Sequence, residues 1–169
     1  LARWEGGQLD VVPPPSPGSA GFAIFDDGSG PTVYSVTNVD QYRRDNIMWK
    51  FEGDAWIPIA DPGIDEHSRF TDIATFDPDG AGPMAPYLVI SGDFKSRSLD
   101  SDNVVAFDGA RWFGLELGVW NSVSELHSFY GGEKGPLLCA SGFELSAPAQ
   151  QWLPYWLSGR FIAWDGDRW

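Results

Sequence analysis

The sequence predicts an all-β fold built from a repeated four-stranded antiparallel unit. Three observations predict it. A short pattern recurs as Leu1-Ala-Arg-Trp-Glu-Gly-Gly-Gln-Leu9, Met48-Trp-Lys-Phe-Glu-Gly-Asp-Ala-Trp56, Val104-Val-Ala-Phe-Asp-Gly-Ala-Arg-Trp112 and Ile162-Ala-Trp-Asp-Gly-Asp-Arg-Trp169. Its glycines, Gly6, Gly53, Gly109 and Gly166, are separated by 47, 56 and 57 residues. A second shared segment lies between these copies: an apolar residue three before a Phe, a Gly-containing stretch ending in Gly-Pro, then another apolar run. Finally, 13 prolines and 20 glycines fall throughout the chain, and no long stretch keeps a 3.6-residue apolar period.

Each unit reads as four strands, A to D. Strand A ends on Phe25, Phe76 or Phe129. The turns Asp26-Asp-Gly-Ser-Gly-Pro31, Asp77-Pro-Asp-Gly-Ala-Gly-Pro83 and Tyr130-Gly-Gly-Glu-Lys-Gly-Pro136 lead into strand B. Strand B is Val33–Asn38, Leu88–Gly92 and Leu138–Gly142, and the terminal Asn38, Gly92 and Gly142 predict a sharp left-handed turn there. Strands C and D form the hairpin over the acid-Gly pair, because Gly accepts positive φ at little cost. The aromatics that bracket it suit a half-buried pleated surface. The predicted anchors are therefore Trp4, Phe51, Trp56, Phe107, Trp112, Trp164 and Trp169, with Gly6, Gly53, Gly109 and Gly166 at the turns. Trp56 and Trp112 are expected to be buried between neighbouring units.

Four short strands in about 40–50 residues are the signature of a β-propeller blade. The expected organisation is one propeller segment over residues 1–169. The end of a preceding blade occupies 1–12, and blades follow at 20–59, 70–117 and 123–169, the last with an incomplete final strand. About three blades do not close a ring, since propellers need four to eight. The expectation is a segment of a longer propeller, or a subunit that completes a ring with a second copy.

The Ser91-Gly92 and Ser141-Gly142 strand ends, followed by aromatic-Asp-Gly-x-x-Trp, resemble kelch-type blades. The unit as a whole is similar to blades of long secreted bacterial repeat proteins, through Leu1–Trp4, Phe25–Pro31, Gly92–Phe94 and Ile162–Trp169. Thr37-Asn38 departs from that pattern, which has Gly-Gly, and Gly7-Gln8-Leu9 lacks its Trp. The resemblance implies a β-propeller, an extracellular or cell-surface location, and no single activity.

The formal net charge is −13. That balance argues against nucleic acid, whose phosphates need Lys and Arg, and against anionic membrane surfaces. No apolar run reaches transmembrane length. The single cysteine, Cys139 in a B strand, rules out an internal disulfide framework and reads as a buried thiol.

In such a scaffold the A–B and C–D turns share one face, and the B–C and D–A segments share the other. The B–C segments are Val39–Asn46, Phe94–Asn103 and Phe143–Gly159; the D–A segments are Val12–Ala20, Ala60–Arg69 and Glu116–Ser122. These vary while the turns repeat, so binding is expected on their face. The candidate binding residues are Trp152, Tyr155, Trp156 and Arg160 in the longest loop, with Tyr42 and Arg43 in the first. Flat aromatic rings with a polar edge suit sugar rings or a protein hot spot; the plain alternative is packing against a neighbouring blade. Asp77-Pro-Asp-Gly lacks the acids of a calcium loop at later positions and reads as a turn. Asp65-Glu66-His67 lacks further ligands at metal spacing and reads as a solvated loop. His127 reads as a hydrogen-bonded strand residue. No metal, cofactor or catalytic constellation is predicted. The expected function is non-catalytic presentation of loops to a protein or glycan. The alternative is part of a propeller enzyme acting on glycans, with its catalytic blades outside this chain.

Overall fold

A computed structural model of the chain describes residues 2–5, 8–11, 13–15, 18–39, 45–60, 62–65, 68–130, 135–147 and 159–169. Among these, every regular element is a β-strand, and every paired strand is antiparallel to its neighbour. β1 (Ala2–Glu5) and β2 (Gln8–Val11) form a hairpin. β3 (Ser19–Asp26), β4 (Pro31–Val39), β5 (Asp45–Glu52) and β6 (Ala55–Ile59) form a first sheet in that order. β7 (Arg69–Phe76), β8 (Tyr87–Ser96), β9 (Ser101–Phe107) and β10 (Trp112–Phe113) form a second. β11 (Val123–Phe129), β12 (Leu137–Leu145) and β13 (Gly159–Trp164) form a third, three-stranded sheet. The sheets stack along the chain and do not close on themselves.

The registers superpose the units. Trp4 faces Leu9, Phe51 faces Trp56, and Phe107 faces Trp112 across the hairpin. The bracketing rings touch, with centroids 5.1 Å apart for Phe51–Trp56, 5.0 Å for Phe107–Trp112 and 5.5 Å for Trp164–Trp169. Gly53, Gly109 and Gly166 have φ of 56, 98 and 101°, the left-handed geometry that the acid-Gly turn needs. Gly6 lies outside the described residues. The acid has its own task. Asp108 Oδ1 accepts the amides of Ala110 and Arg111 at 2.9 and 2.7 Å, and Asp165 Oδ1 those of Asp167 and Arg168 at 3.0 and 2.9 Å. These bonds close the turn through the side chain.

Alternation along the strands gives each sheet two faces, and the faces meet head to tail. Phe25, Tyr34, Val36 and Met48 of the first sheet pack on Ile73, Leu88, Ile90, Val105 and Phe107 of the second. Phe76, Val89, Val104 and Ala106 of the second pack on Leu126, Leu138, Ala140 and Trp164 of the third. In register, Leu88, Ile90, Val105 and Phe107 correspond to Leu138, Ala140, Ile162 and Trp164. The same face is therefore offered to the preceding sheet each time. Contact between sheets runs chiefly along the first strands, β3 on β7 and β7 on β11. Fully burying one such aliphatic or aromatic side chain contributes roughly 1.5–3 kcal/mol, so these two interfaces hold the stack.

Several expectations change. Strand B does not end at the glycines. β8 runs on to Ser96 and β12 to Leu145, and neither Gly92 nor Gly142 has a left-handed φ. Glycine is required there by close approach instead. A Cβ on Gly92 would lie 1.9 Å from the Arg69 carbonyl oxygen, and one on Gly142 2.5 Å from that of Ser122. Each glycine sits opposite a β-bulge in strand A, where the backbones crowd. The first-sheet counterpart by pairing is Thr37, opposite Ser19, rather than Asn38. Much of the expected 94–103 loop is strand.

The hairpin tryptophans are half-buried rather than buried, because each lies at the seam with an N–H that needs a partner. Trp56 Nε1 donates to Pro13 O at 2.8 Å, Trp112 Nε1 to Ala60 O at 2.8 Å, and Trp169 Nε1 to Leu115 O at 3.1 Å. Each reaches one unit back. Hydroxyls add a second ladder between first strands: Thr75 Oγ1 donates to Ile24 O at 2.6 Å and Ser128 Oγ to Thr75 O at 2.5 Å. Cys139 is half-buried rather than buried. His127 is exposed and faces Glu125, with Nε2 3.6 Å from its carboxylate.

Candidate functional site: a cleft among the loops

The turns and the connecting segments lie at opposite ends of the sheets. The turn end is tightly bonded in the first unit, and between the second and third sheets it holds a cleft of about 550 Å³ beside Met84, Asp108, Arg111 and Gly166. In that first unit Lys50 Nζ meets Asp27 Oδ2 at 2.7 Å and Ser29 Oγ at 2.9 Å, and Tyr34 donates its hydroxyl to Asp27 Oδ2 at 2.8 Å. The Lys50 ammonium, with help from Ser29, holds the Asp27 carboxyl far below the usual carboxylate range. Burial, then the bond to Asp27, pushes the Tyr34 phenol upward. Gly109 from the next unit lies against this turn, where a Cβ would come 2.9 Å from the Asp27 Cβ. The same arrangement recurs one unit on, with Gly166 against Pro78. The polar groups around Asp27 are answered from within the fold, while in the second unit's turn Asp79 Oδ1 is buried without a hydrogen-bond partner.

The opposite end, formed by the connecting segments, is open as well. A cleft of about 560 Å³ is lined by Asp65, Ser68, Asp93, Phe94, Lys95, Asp102, Asn103, Trp120 and Asn121. It gathers the D–A segments before β7 and β11 and the B–C hairpin of the second sheet. Backbone bonds fix its walls. Asp65 N donates to Lys95 O at 2.9 Å, Val119 N to Asp102 O at 2.8 Å, and Trp120 N to Ser146 O at 2.8 Å. Asn103 braces the floor, accepting from Phe94 N at 2.9 Å and donating through Nδ2 to Val119 O at 2.8 Å. Asn121 Nδ2 ties the rim to Glu144 O at 2.8 Å. Gly118 is required by contact: φ is 79°, and a Cβ would lie 2.1 Å from Asp102 O.

The backbone around the cleft is unusual. Six non-glycine residues among those described have positive φ, and five of them, Asp100, Asn103, Glu116, Asn121 and Glu144, belong to segments at this end. Left-handed geometry at such residues costs on the order of 1–3 kcal/mol and collects at functional sites. Charges inside are only partly matched. Lys95 Nζ is 3.4 Å from Asp102 Oδ2, and Arg97 Nε is 3.1 Å from Asp65 Oδ2. Asp93 adds a third carboxylate to the lining. Trp120 is 41 % exposed and supplies an aromatic surface beside these carboxylates and amides.

Of the residues expected to bind, Tyr42, Arg43, Trp152, Tyr155 and Trp156 lie outside the described residues, as do Glu66 and His67. Arg160 is exposed on β13. The segment that carries the aromatic trio leaves β12 next to Ser146, which is bonded to Trp120, and rejoins at Gly159, paired with Leu145. Asp93, Asp102, Trp120 and Asn121 were not singled out from the sequence. Trp120 belonged to the same class as Trp152, an aromatic in a variable segment, and that signal was available. The approach of Asp102 to Gly118 was not. No group of three or more His, Cys, Asp or Glu side chains arranged to hold a metal occurs among the described residues. Comparison of the chain with protein-family models, with curated proteins and with solved structures returns no match in any of the three.

Proposed function

We propose that this chain is a non-catalytic segment of a β-propeller, and that its loop end binds a glycan. Head-to-tail stacking of four-stranded sheets on their first strands supports the propeller reading. One observation carries the binding reading: the cleft combines an exposed indole, Trp120, with carboxylates and an amide fixed on braced backbone. A sugar ring offers an apolar face to an aromatic platform and hydroxyls to surrounding acceptors and donors. Asp65, Asp93 and Asp102 against a single lining lysine, on a chain of net charge −13, disfavour uronic-acid polymers. A neutral or amino-sugar chain fits.

Isothermal titration calorimetry with cello-, xylo-, chito- and chitosan oligosaccharides, and with oligogalacturonate, tests this. The expected result is binding to at least one neutral or amino-sugar series, no binding to oligogalacturonate, and at least a tenfold loss on Trp120→Ala, with folding checked by circular dichroism. Tight oligogalacturonate binding, no binding to any neutral or amino-sugar series, or full affinity in Trp120→Ala overturns the proposal.

A further inference from the structure

The repeat is interrupted at one place on the turn end. In the first and third units a Gly-Pro pair runs straight into strand B, at Thr32 and Leu137; in the second, Met84-Ala85-Pro86 stands between Gly82-Pro83 and Tyr87. Thr32, Tyr87 and Leu137 hold the same register position, each opposite the last Phe of strand A. Met84 and Ala85 of the insert line the cleft of about 550 Å³ between the second and third sheets, and Met84 is 55 % exposed. The Asp79 carboxylate holds the insert by accepting the Met84 amide at 2.9 Å.

The other walls are aromatic. Tyr87, Trp112 and Phe113 come from the second sheet and Trp164 from the third, with Leu115 beside them. The Tyr87 and Phe113 rings have centroids 5.2 Å apart and planes at 75°. Both indole N–H groups are occupied: Trp112 Nε1 donates to Ala60 O, and Trp164 Nε1 donates to the Tyr87 hydroxyl at 3.0 Å. Tyr87 is 8 % exposed, and among the described residues its own hydroxyl proton meets no acceptor. Burial pushes this phenol upward, so it is a neutral donor at pH 7. The charges at the rim answer each other, with Arg111 3.4 Å from Asp108 Oδ2. A buried donor left unanswered destabilises the empty site, and a ligand that answers it gains the difference.

We propose that this cleft binds a neutral, flat aromatic molecule bearing a carbonyl oxygen. Its ring packs on the aromatic walls and on Met84, and its oxygen accepts the Tyr87 hydroxyl proton. Clefts of roughly 300–1,000 Å³ with apolar and aromatic walls and a few converging polar groups are the usual form of small-molecule sites. Ring-on-ring and sulfur-on-ring contacts favour an aromatic body over an aliphatic one. One carboxylate and one guanidinium, already paired, favour neither an anion nor a cation. The cleft lies at the opposite end of the sheets from the loop cleft, and the proposal is independent of what that cleft binds.

Four probes of one size test it: acetophenone, ethylbenzene, benzoate and benzylammonium, titrated while the indole N–H resonances of Trp112 and Trp164 are followed by NMR. Acetophenone is expected to shift both resonances and to bind at least about tenfold tighter than the other three, the discrimination that one answered buried donor supplies. Tyr87→Phe keeps the ring and removes the donor. It is expected to weaken acetophenone at least tenfold and to leave any ethylbenzene binding unchanged. Because Tyr87→Phe also takes the acceptor from Trp164 Nε1, a second variant is needed. Met84→Glu changes an exposed residue of the insert and is expected to weaken acetophenone as well. Circular dichroism checks that both variants fold. No shift with acetophenone near its solubility limit overturns the proposal. So does ethylbenzene, benzoate or benzylammonium binding as tightly as acetophenone, or full acetophenone affinity in either variant.

Discussion

Single side chains in this protein do work that their residue type only half announces. Asp108 and Asp165 of the acid-Gly pairs are turn-closing acceptors, and the bonded backbone amides hold their carboxyls below their ordinary range. Asp27 is lowered further by the Lys50 ammonium. Carboxylates depressed in the folded state contribute stability that is present above their unfolded value, about 3.9. That contribution is lost as pH falls from there through the folded values. The urea midpoint should therefore drop steeply between about pH 4 and pH 2. Asp27→Asn should be less stable at pH 7, because it removes the near counter-charge of Lys50 at 2.7 Å and leaves only Glu52 at 4.0 Å, and it should show a shallower acid limb. Equal acid limbs in urea melts of the two proteins would contradict this assignment. Phe51, Trp56, Phe107 and Trp112 were legible as hairpin anchors because the signal is local, two aromatics around an acid-Gly turn. The reach of each indole one unit back was not legible, since Trp112 and Ala60 are 52 residues apart.

At the scale of elements, alternation and turn residues made the strand pairs readable, and the bulges hid the rest. A bulge in strand A shifts the pairing after Phe70 and after Val123. It also draws the neighbouring backbone onto Gly92 and Gly142. From the sequence these glycines look like strand ends; in the fold they are points where no side chain fits. The consequence is measurable. Gly92→Ala should cost roughly 3 kcal/mol, at the top of the usual overpacking range, because the obstructing atom is backbone. Gly53→Ala, at φ 56° with nothing within 4 Å of its Cβ, should cost only the roughly 1–2 kcal/mol of a left-handed residue. Denaturant melts that rank Gly53→Ala as the more damaging would remove close approach as the reason for Gly92. The cleft was illegible for a related cause. It forms where β8 and β9 lose register between Ser91 and Lys95, and Asn103 fills the gap with hydrogen bonds that no local pattern encodes.

At the scale of the whole molecule, one contact repeats: each sheet lays the same apolar face on the sheet before it. The loop cleft depends on this, because the segments that line it come from consecutive units. The most direct test is the set of nuclear Overhauser contacts from the three repeat indole protons. The stack predicts cross-peaks from the Trp56 Nε1 proton to Pro13, from that of Trp112 to Ala60, and from that of Trp169 to Leu115. Indole protons that contact only their own hairpin, or residues two units away, would contradict the head-to-tail arrangement.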